Sequence, residues 1–215
     1  KKLIKEDSKF LVLFIISLLS ILVPGFVTES HLSDMIFNII FTTMVIASTF
    51  TIAQTKKHQR NILLLGATTL LFAWILILNL IPYNHPKKLG VLPLFFFFLY
   101  TVYRLIFTIL KSKNVTPDVI FGAITGYIFL GYAGAFYFEV VQSFFPHSFD
   151  MALIENSMSL EYFSFVTMTS LGYGEIVPLS NAARSGAIIL TIFGQFYIAV
   201  VVAILVSKYL VRINR

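Results

Sequence analysis

Six long apolar stretches run through the sequence, and their length constrains the fold more than any other feature. Each is close to the roughly 20 residues that an α-helix needs to cross a bilayer. They cover residues 10–27, 32–53, 61–81, 89–110, 117–143 and 181–211. The chain of 215 residues is 58% hydrophobic and 12% charged, which is about half the charged share of a soluble protein. We therefore predict an all-α integral membrane protein with six transmembrane helices.

Lysine and arginine are unevenly distributed among the loops that join these stretches. With the N-terminus inside, 12 of the 16 cationic side chains lie on the cytoplasmic side. Lys87, Lys88 and Arg184 lie outside, and Arg104 lies within the fourth stretch. Because inner loops carry the excess of cations, we predict that both termini are cytoplasmic in a cell membrane. The net charge of +6 thus reflects membrane orientation, and we expect no nucleic-acid partner.

The segment between the fifth and sixth stretches is long and is itself partly apolar. Its apolar part, 159–169, would form a helix of about 16 Å, roughly half the ~30 Å hydrocarbon core. We predict that it is a re-entrant half helix whose C-terminal dipole favours a cation. The segment also carries Asp150, Glu155, Glu161 and Glu175. We expect these acids to make the outer mouth negative and to concentrate cations there.

A glycine-rich motif follows the predicted half helix. Residues 162–178 read Tyr-Phe-Ser-Phe-Val-Thr-Met-Thr-Ser-Leu-Gly-Tyr-Gly-Glu-Ile-Val-Pro. The centre of this run, 169–175, resembles the potassium-channel signature Thr-Thr-Val-Gly-Tyr-Gly-Asp. From residue 115 to residue 210 the chain is similar to six-helix bacterial ion channels with a single pore domain. The first 110 residues resemble a voltage-sensor domain in general plan only, without its arginine stripe.

The resemblance implies a selectivity filter, and elementary physics explains its composition. A dehydrating potassium ion needs about eight oxygens, which four strands supply as stacked rings of carbonyls. Aiming successive carbonyls at one axis requires alternating right- and left-handed backbone, which glycine adopts most easily. The expected ion-binding residues are Ser170, Leu171, Gly172, Tyr173 and Gly174, with K⁺ held at the first four. We expect the side chains of Leu171 and Tyr173 to wedge the strand against its pore helix.

The resemblance also implies a set of residues that support the filter. These are Tyr162, Phe163, Thr167, Thr169, Glu175 and Glu139. Ser170 replaces a threonine, Phe163 replaces a tryptophan that hydrogen-bonds the filter tyrosine, and Glu175 replaces an aspartate. Tyr162 stands where another tryptophan is common, and it could form a hydrogen bond with Glu175. Glu139 either reaches the membrane interface or is held by the pore-loop backbone.

Glycines mark the last two stretches. Gly194 lies twenty residues after Gly174, a spacing that resembles the gating hinge of potassium-channel inner helices. The alternative is that Gly194 permits close helix packing. Gly122 and Gly126 form a small-xxx-small pair, which we expect to pack against the last stretch.

These observations predict a four-helix transmembrane domain over 1–110 and a pore domain over 111–215. One filter segment supplies one strand, so the ring requires a homotetramer in the bilayer. The function expected is passive potassium conduction without a cofactor, K⁺ being the permeant ligand. The single arginine of the fourth stretch predicts little voltage dependence. The short link after residue 110 predicts that the first four helices pack against their own pore domain.

Three other functions were weighed against this one. A weakly selective monovalent cation channel would follow if Ser170 loosens the filter. A subunit of a K⁺-uptake transporter is disfavoured because such chains carry four filter-like loops. An enzyme is disfavoured because all four histidines lie in predicted loops and no paired carboxylates or metal-ligand cluster is found.

Overall fold

The computed structural model describes residues 8–26, 30–52, 56–77, 86–112, 114–150 and 157–213. Within these ranges the chain is helical and contains no strand. The elements are α1 (Lys9–Leu22, continued by a 3-10 helix at Val23–Phe26), α2 (Ser30–Ile52), α3 (Lys56–Ile77), α4 (Pro86–Lys111), α5 (Pro117–Phe144), α6 (Ser157–Met168) and α7 (Asn181–Ile213). The prediction of an all-α chain is confirmed.

Four helical segments are long and apolar enough to cross a membrane. They are Lys9–Phe26, Val91–Lys111, Pro117–Phe144 and Asn181–Leu210. The apolar parts of α2 and α3 are shorter, at Asn38–Ile52 and Arg60–Phe72. Among the residues that the structure describes, parts of all six predicted stretches are helical, and these four segments qualify as spans by length and composition.

Helix α5 is the central element of the chain and contacts α1, α4, α6 and α7. It begins where its sequence favours a helix start. The Thr116 side chain accepts a hydrogen bond from the Val119 N–H at 3.4 Å, and Pro117 occupies the first helical position. Both features satisfy or remove N–H groups that a helix start leaves without partners.

Small residues let the neighbouring helices approach α5 closely. A Cβ at Gly126 would overlap the hydroxyl of Tyr197 on α7, whereas one at Gly122 would lie 3.0 Å from the Phe10 ring of α1. The predicted packing of this pair against the last helix is therefore right for Gly126 and wrong for Gly122. The cause is that α1, not α7, covers the first turns of α5.

An aromatic cluster joins α2 and α4 to α5. The ring centroid of Phe98 lies 5.1 Å from that of Phe129 and 5.5 Å from those of Phe41 and Phe136. Beside the cluster, the hydroxyls of Tyr132 and Ser20 share a buried hydrogen bond of 2.7 Å. Within the chain α1 and α4 contact α5, whereas α2 and α3 contact α4. The packing of the first four helices against their own pore domain in an assembly stays a prediction.

A carboxylate at the start of α5 binds the start of α1. Asp118 Oδ1 accepts hydrogen bonds from the backbone N–H groups of Phe10 at 2.9 Å and Leu11 at 3.1 Å. The Asp118 side chain is buried. It acts as an N-terminal cap supplied by a residue more than 100 positions away, and the helix dipole favours its negative charge.

A lysine on α7 binds the end of α4. Lys208 Nζ donates to the carbonyls of Ile109 at 2.8 Å, Leu110 at 2.8 Å and Ser112 at 2.7 Å. These carbonyls belong to the end of α4, where helices leave such groups without intrahelical partners. The ends of α4 and α7 therefore lie on the same side of the molecule.

Candidate functional site

The chain reverses direction immediately after α6. The N–H of Ser170 donates to the Thr167 carbonyl at 3.0 Å, and the N–H of Leu171 donates to the Val166 carbonyl at 3.0 Å. These bonds occupy carbonyls in the last turn of α6. The backbone then continues through the predicted filter motif.

Every second residue of this segment has left-handed backbone. The φ angles are 60° at Ser170, 60° at Gly172 and 88° at Gly174. The left-handed geometry predicted at the two glycines is present, and Ser170 extends the alternation by one position. A non-glycine residue adopts a positive φ only at an energetic disadvantage, so Ser170 holds a strained conformation.

The carbonyl oxygens of this segment lack partners within the part of the chain that is described. Those of Ser170, Leu171, Gly172 and Tyr173 accept no hydrogen bond there. The residues are exposed, so these oxygens are open to water or a cation. Backbone oxygens that alternate in this way are hard, neutral ligands, of the type that suits a monovalent cation.

The side chains of the motif are exposed as well. Leu171 is 56% and Tyr173 68% exposed, although both are large and partly or wholly apolar. Neither side chain is covered in the single chain, and the expectation that they wedge the strand against its pore helix stays a prediction.

The two aromatic residues at 162 and 163 have different environments. Phe163 is buried, with its ring 4.9 Å from that of Phe138 and 5.1 Å from that of Phe149. It anchors α6 to α5. Tyr162 is 40% exposed and hydrogen-bonds Glu175, which raises the pKa of the Tyr162 hydroxyl to about 12. The predicted Tyr162–Glu175 hydrogen bond is present, and it ties the far end of the motif back to α6.

The two threonines among the predicted support residues bond to nearby backbone and side chains. Thr169 Oγ1 donates to the Phe165 carbonyl at 2.7 Å. The Thr167 carbonyl accepts from Thr191 Oγ1 of α7 at 3.3 Å. Thr167 therefore links α6 to α7, whereas Thr169 closes the end of α6.

Gly194 lies where α7 passes closest to the end of α6. A Cβ at this position would overlap the Met168 carbonyl oxygen and would lie 2.6 Å from Met168 Cγ. Because backbone cannot move aside easily, the site requires glycine for packing. The close-packing interpretation of Gly194 has this contact behind it, and the gating-hinge interpretation stays a prediction.

The acidic residues of the long segment are not all at its surface. Glu161 is buried, and burial together with the nearby Glu139 carboxyl raises its pKa to about 8. Asp150 and Glu175 are exposed, and Glu155 lies outside the described residues. The expectation that Glu161 contributes to a negative outer mouth is wrong, because that face of α6 packs against α5. No described hydrogen bond holds Glu139, so its support role stays a prediction.

One residue near the motif was not predicted from the sequence. Gln195 Nε2 on α7 donates a hydrogen bond to Ser170 Oγ at 3.0 Å. A signal for it does exist, since Gln195 is the one strongly polar side chain between residues 192 and 206 of an otherwise apolar helix.

These features together define an integral membrane protein of the channel class. Residues 118–210 match the family model described as Ion channel. Over these residues, which make up less than half of the chain, the sequence is similar to that ion-channel family. The match covers α5, α6, the motif and most of α7, and the family is one of channels rather than enzymes. No curated protein and no solved structure matches the chain.

Proposed function

We propose that the chain is one subunit of a homotetrameric, potassium-selective channel that conducts K⁺ passively across the cell membrane. The observation that carries the proposal is the alternating left-handed backbone at Ser170, Gly172 and Gly174. With this alternation, four unpaired carbonyls per chain become available as ligands, and four chains would stack them as rings around one axis. K⁺ would bind at Ser170, Leu171, Gly172 and Tyr173.

The exposure of the motif side chains supports assembly. Leu171 and Tyr173 are more than half exposed on one chain, and α7 exposes Ile192, Phe193 and Phe196. In a bilayer the gain from covering such groups would come from close packing against a partner rather than from the hydrophobic effect. A neighbouring copy would cover them, and one motif per chain fits a fourfold ring.

The proposed membrane topology has six spans and a re-entrant pore helix. α6 has 12 residues, about 18 Å at 1.5 Å per residue, which is too short to cross the hydrocarbon core. It would enter from the outer side and end near mid-membrane, with its negative dipole end toward the ion. α2 and α3 complete the six spans, and both termini lie in the cytoplasm.

The reversal potential of the purified protein in planar bilayers tests the proposal. With K⁺ on one side and Na⁺ on the other, we expect reversal close to the potassium equilibrium potential. Blue-native gels or native mass spectrometry should give four copies per particle. A single-copy particle that moves K⁺ without channel-like currents would contradict the proposal and favour a transporter subunit.

A weakly selective cation channel is the second candidate, and the sequence at Ser170 favours it. Serine lacks the methyl group that fixes a threonine side chain. Phe163 packs against α5 and has no polar atom that could hydrogen-bond the filter tyrosine. Robust current that reverses near zero in the K⁺/Na⁺ experiment would support this candidate over the selective one.

A further inference from the structure

Helix α7 contacts the predicted filter residues through the side chain of Gln195. Gln195 Nε2 donates to Ser170 Oγ at 3.0 Å. Gly194, the residue before Gln195, packs directly against the Met168 backbone at the end of α6. This close approach of α7 and α6 holds Gln195 near Ser170. One turn further back, Thr191 Oγ1 donates to the Thr167 carbonyl at 3.3 Å. The Gln195 amide thus reaches Ser170 from a firmly packed helix.

Ser170 needs such a partner more than a threonine would. Two heavy atoms on Cβ restrict the χ1 angle of threonine, whereas the serine hydroxyl rotates among its staggered positions. Ser170 also holds a positive φ of 60°. A hydroxyl has two acceptor lone pairs and one donor hydrogen. If the Gln195 amide occupies one lone pair, the oxygen is fixed and the other lone pair stays available to a cation.

We propose that Gln195 is a positioning residue for the innermost ion site of the filter. The inference rests on the proposed function. Its hydrogen bond orients the Ser170 hydroxyl oxygen and so replaces the constraint that the missing methyl group would supply. In the tetramer, four Gln195 side chains form a polar ring directly below the filter. This ring makes the last ion site selective although the residue at position 170 is serine.

The test compares ion selectivity in three variants of the full chain. Gln195→Leu keeps the side-chain volume and removes the hydrogen bond. Ser170→Thr restores the methyl group, and the double variant combines the two. The permeability ratio of Na⁺ to K⁺ is measured from the reversal potential in planar bilayers. Tetramer content is measured on the same samples by size-exclusion chromatography.

We expect Gln195→Leu to raise the Na⁺/K⁺ permeability ratio by about fivefold, the order expected for one lost hydrogen bond. The double variant should return to within about twofold of the unmodified channel, because threonine orients its own hydroxyl. Thr191→Val is the matched control. It removes the other hydrogen bond between α7 and α6 without touching Ser170, and we expect unchanged selectivity.

If Gln195→Leu does not assemble, Gln195→Asn provides the measurement. Its amide is shorter by one methylene and cannot reach Ser170 Oγ, so selectivity should fall in the same way.

Two results would overturn the inference while leaving the proposed function intact. One is a potassium-selective parent channel whose Gln195→Leu variant keeps its selectivity. The other is a loss of selectivity that Ser170→Thr does not rescue, which would assign Gln195 a packing role. A parent channel without K⁺ preference would instead contradict the proposed function and the inference together.

Discussion

At the scale of single residues, a substitution at Gly194 tests whether this glycine serves close packing or acts as a hinge. Gly194→Ala places a Cβ against the Met168 carbonyl oxygen, and overpacking of this kind costs about 1–3 kcal/mol. We expect a lower melting temperature of the protein in detergent, measured by tryptophan or dye fluorescence.

Gly25→Ala is the control for that measurement, because the nearest atom to its added Cβ is the Met158 methyl at 3.5 Å. Unchanged thermal stability in Gly194→Ala, together with altered channel opening, would contradict the packing role and support a hinge.

The Tyr162–Glu175 hydrogen bond is a second residue-scale feature with a measurable effect. Tyr162→Phe removes the hydroxyl that binds Glu175 and keeps the ring. Because this bond holds the outer end of the motif to α6, we expect currents to decay about threefold faster during sustained opening. The rate constant of decay in single-channel or macroscopic recordings measures it.

Tyr103→Phe serves as the comparison for this variant, since Tyr103 is 57% exposed on α4 and remote in sequence from the motif. Equal decay rates in the two variants would show that the Tyr162 hydroxyl does not stabilise the filter.

At the scale of elements, Lys208 joins the last helix to the fourth. Lys208→Met removes three charge-assisted hydrogen bonds to the end of α4, each of which is worth roughly 1.5–3 kcal/mol when its donor is charged and shielded. Since Lys208 is only partly buried, we expect Lys208→Met to lower the free energy of unfolding by about 1.5 kcal/mol in total. Chemical or thermal unfolding of the tetramer should report it.

Lys111→Met is matched in charge and lies on the same end of α4, where its ammonium rests over the Phe107 ring at 4.3 Å. A loss of stability as large in Lys111→Met as in Lys208→Met would argue that charge alone matters.

The cap that Asp118 provides to α1 gives another element-scale prediction. Asp118→Ala leaves the N–H groups of Phe10 and Leu11 without the carboxylate and should reduce stability by about 1–2 kcal/mol. Asp118→Asn keeps an acceptor oxygen and should lose less. Hydrogen exchange of the first turn of α1 is the measurement, and equal protection in all three proteins would contradict the cap.

The positions of the helices could be read from the sequence, but the contacts between them could not. Apolar length alone predicted the bounds of α5, at 117–143, to within one residue of Pro117–Phe144. The motif likewise predicted left-handed backbone at Gly172 and Gly174. The partners of Lys208 and Gln195, and the burial of Glu161, depend on how helices distant in sequence face one another. The hydrophobic periodicity of one helix does not show which face of another helix it contacts.

At the scale of the whole molecule, the charge content predicts how the channel responds to voltage. One elementary charge that crosses 100 mV contributes only about 2.3 kcal/mol, and steep sensing needs about 3–4 charges per subunit. Arg104 is the single cation between residues 89 and 110. It is 2% exposed, beneath the Phe107 ring at 5.6 Å.

We therefore expect open probability to change little over about ±100 mV, with less than about one gating charge per subunit. Conductance–voltage curves in planar bilayers measure this, and Arg104→Leu should leave the slope unchanged. A steep curve that flattens in Arg104→Leu would show that this arginine is a gating charge.

The two attachments of α7 have a mechanical consequence. The helix is fastened to the motif at Gln195 and to the end of α4 at Lys208, 13 residues or about 20 Å apart. Between them Tyr197 donates to the Ala123 carbonyl of α5 at 2.7 Å, so bending of this stretch would also disturb a contact with α5. A displacement of the C-terminal end of α7 would pull α4 along with it. Membrane tension, bilayer thickness or a ligand that shifts α4 would then also change the position of α7 at the pore.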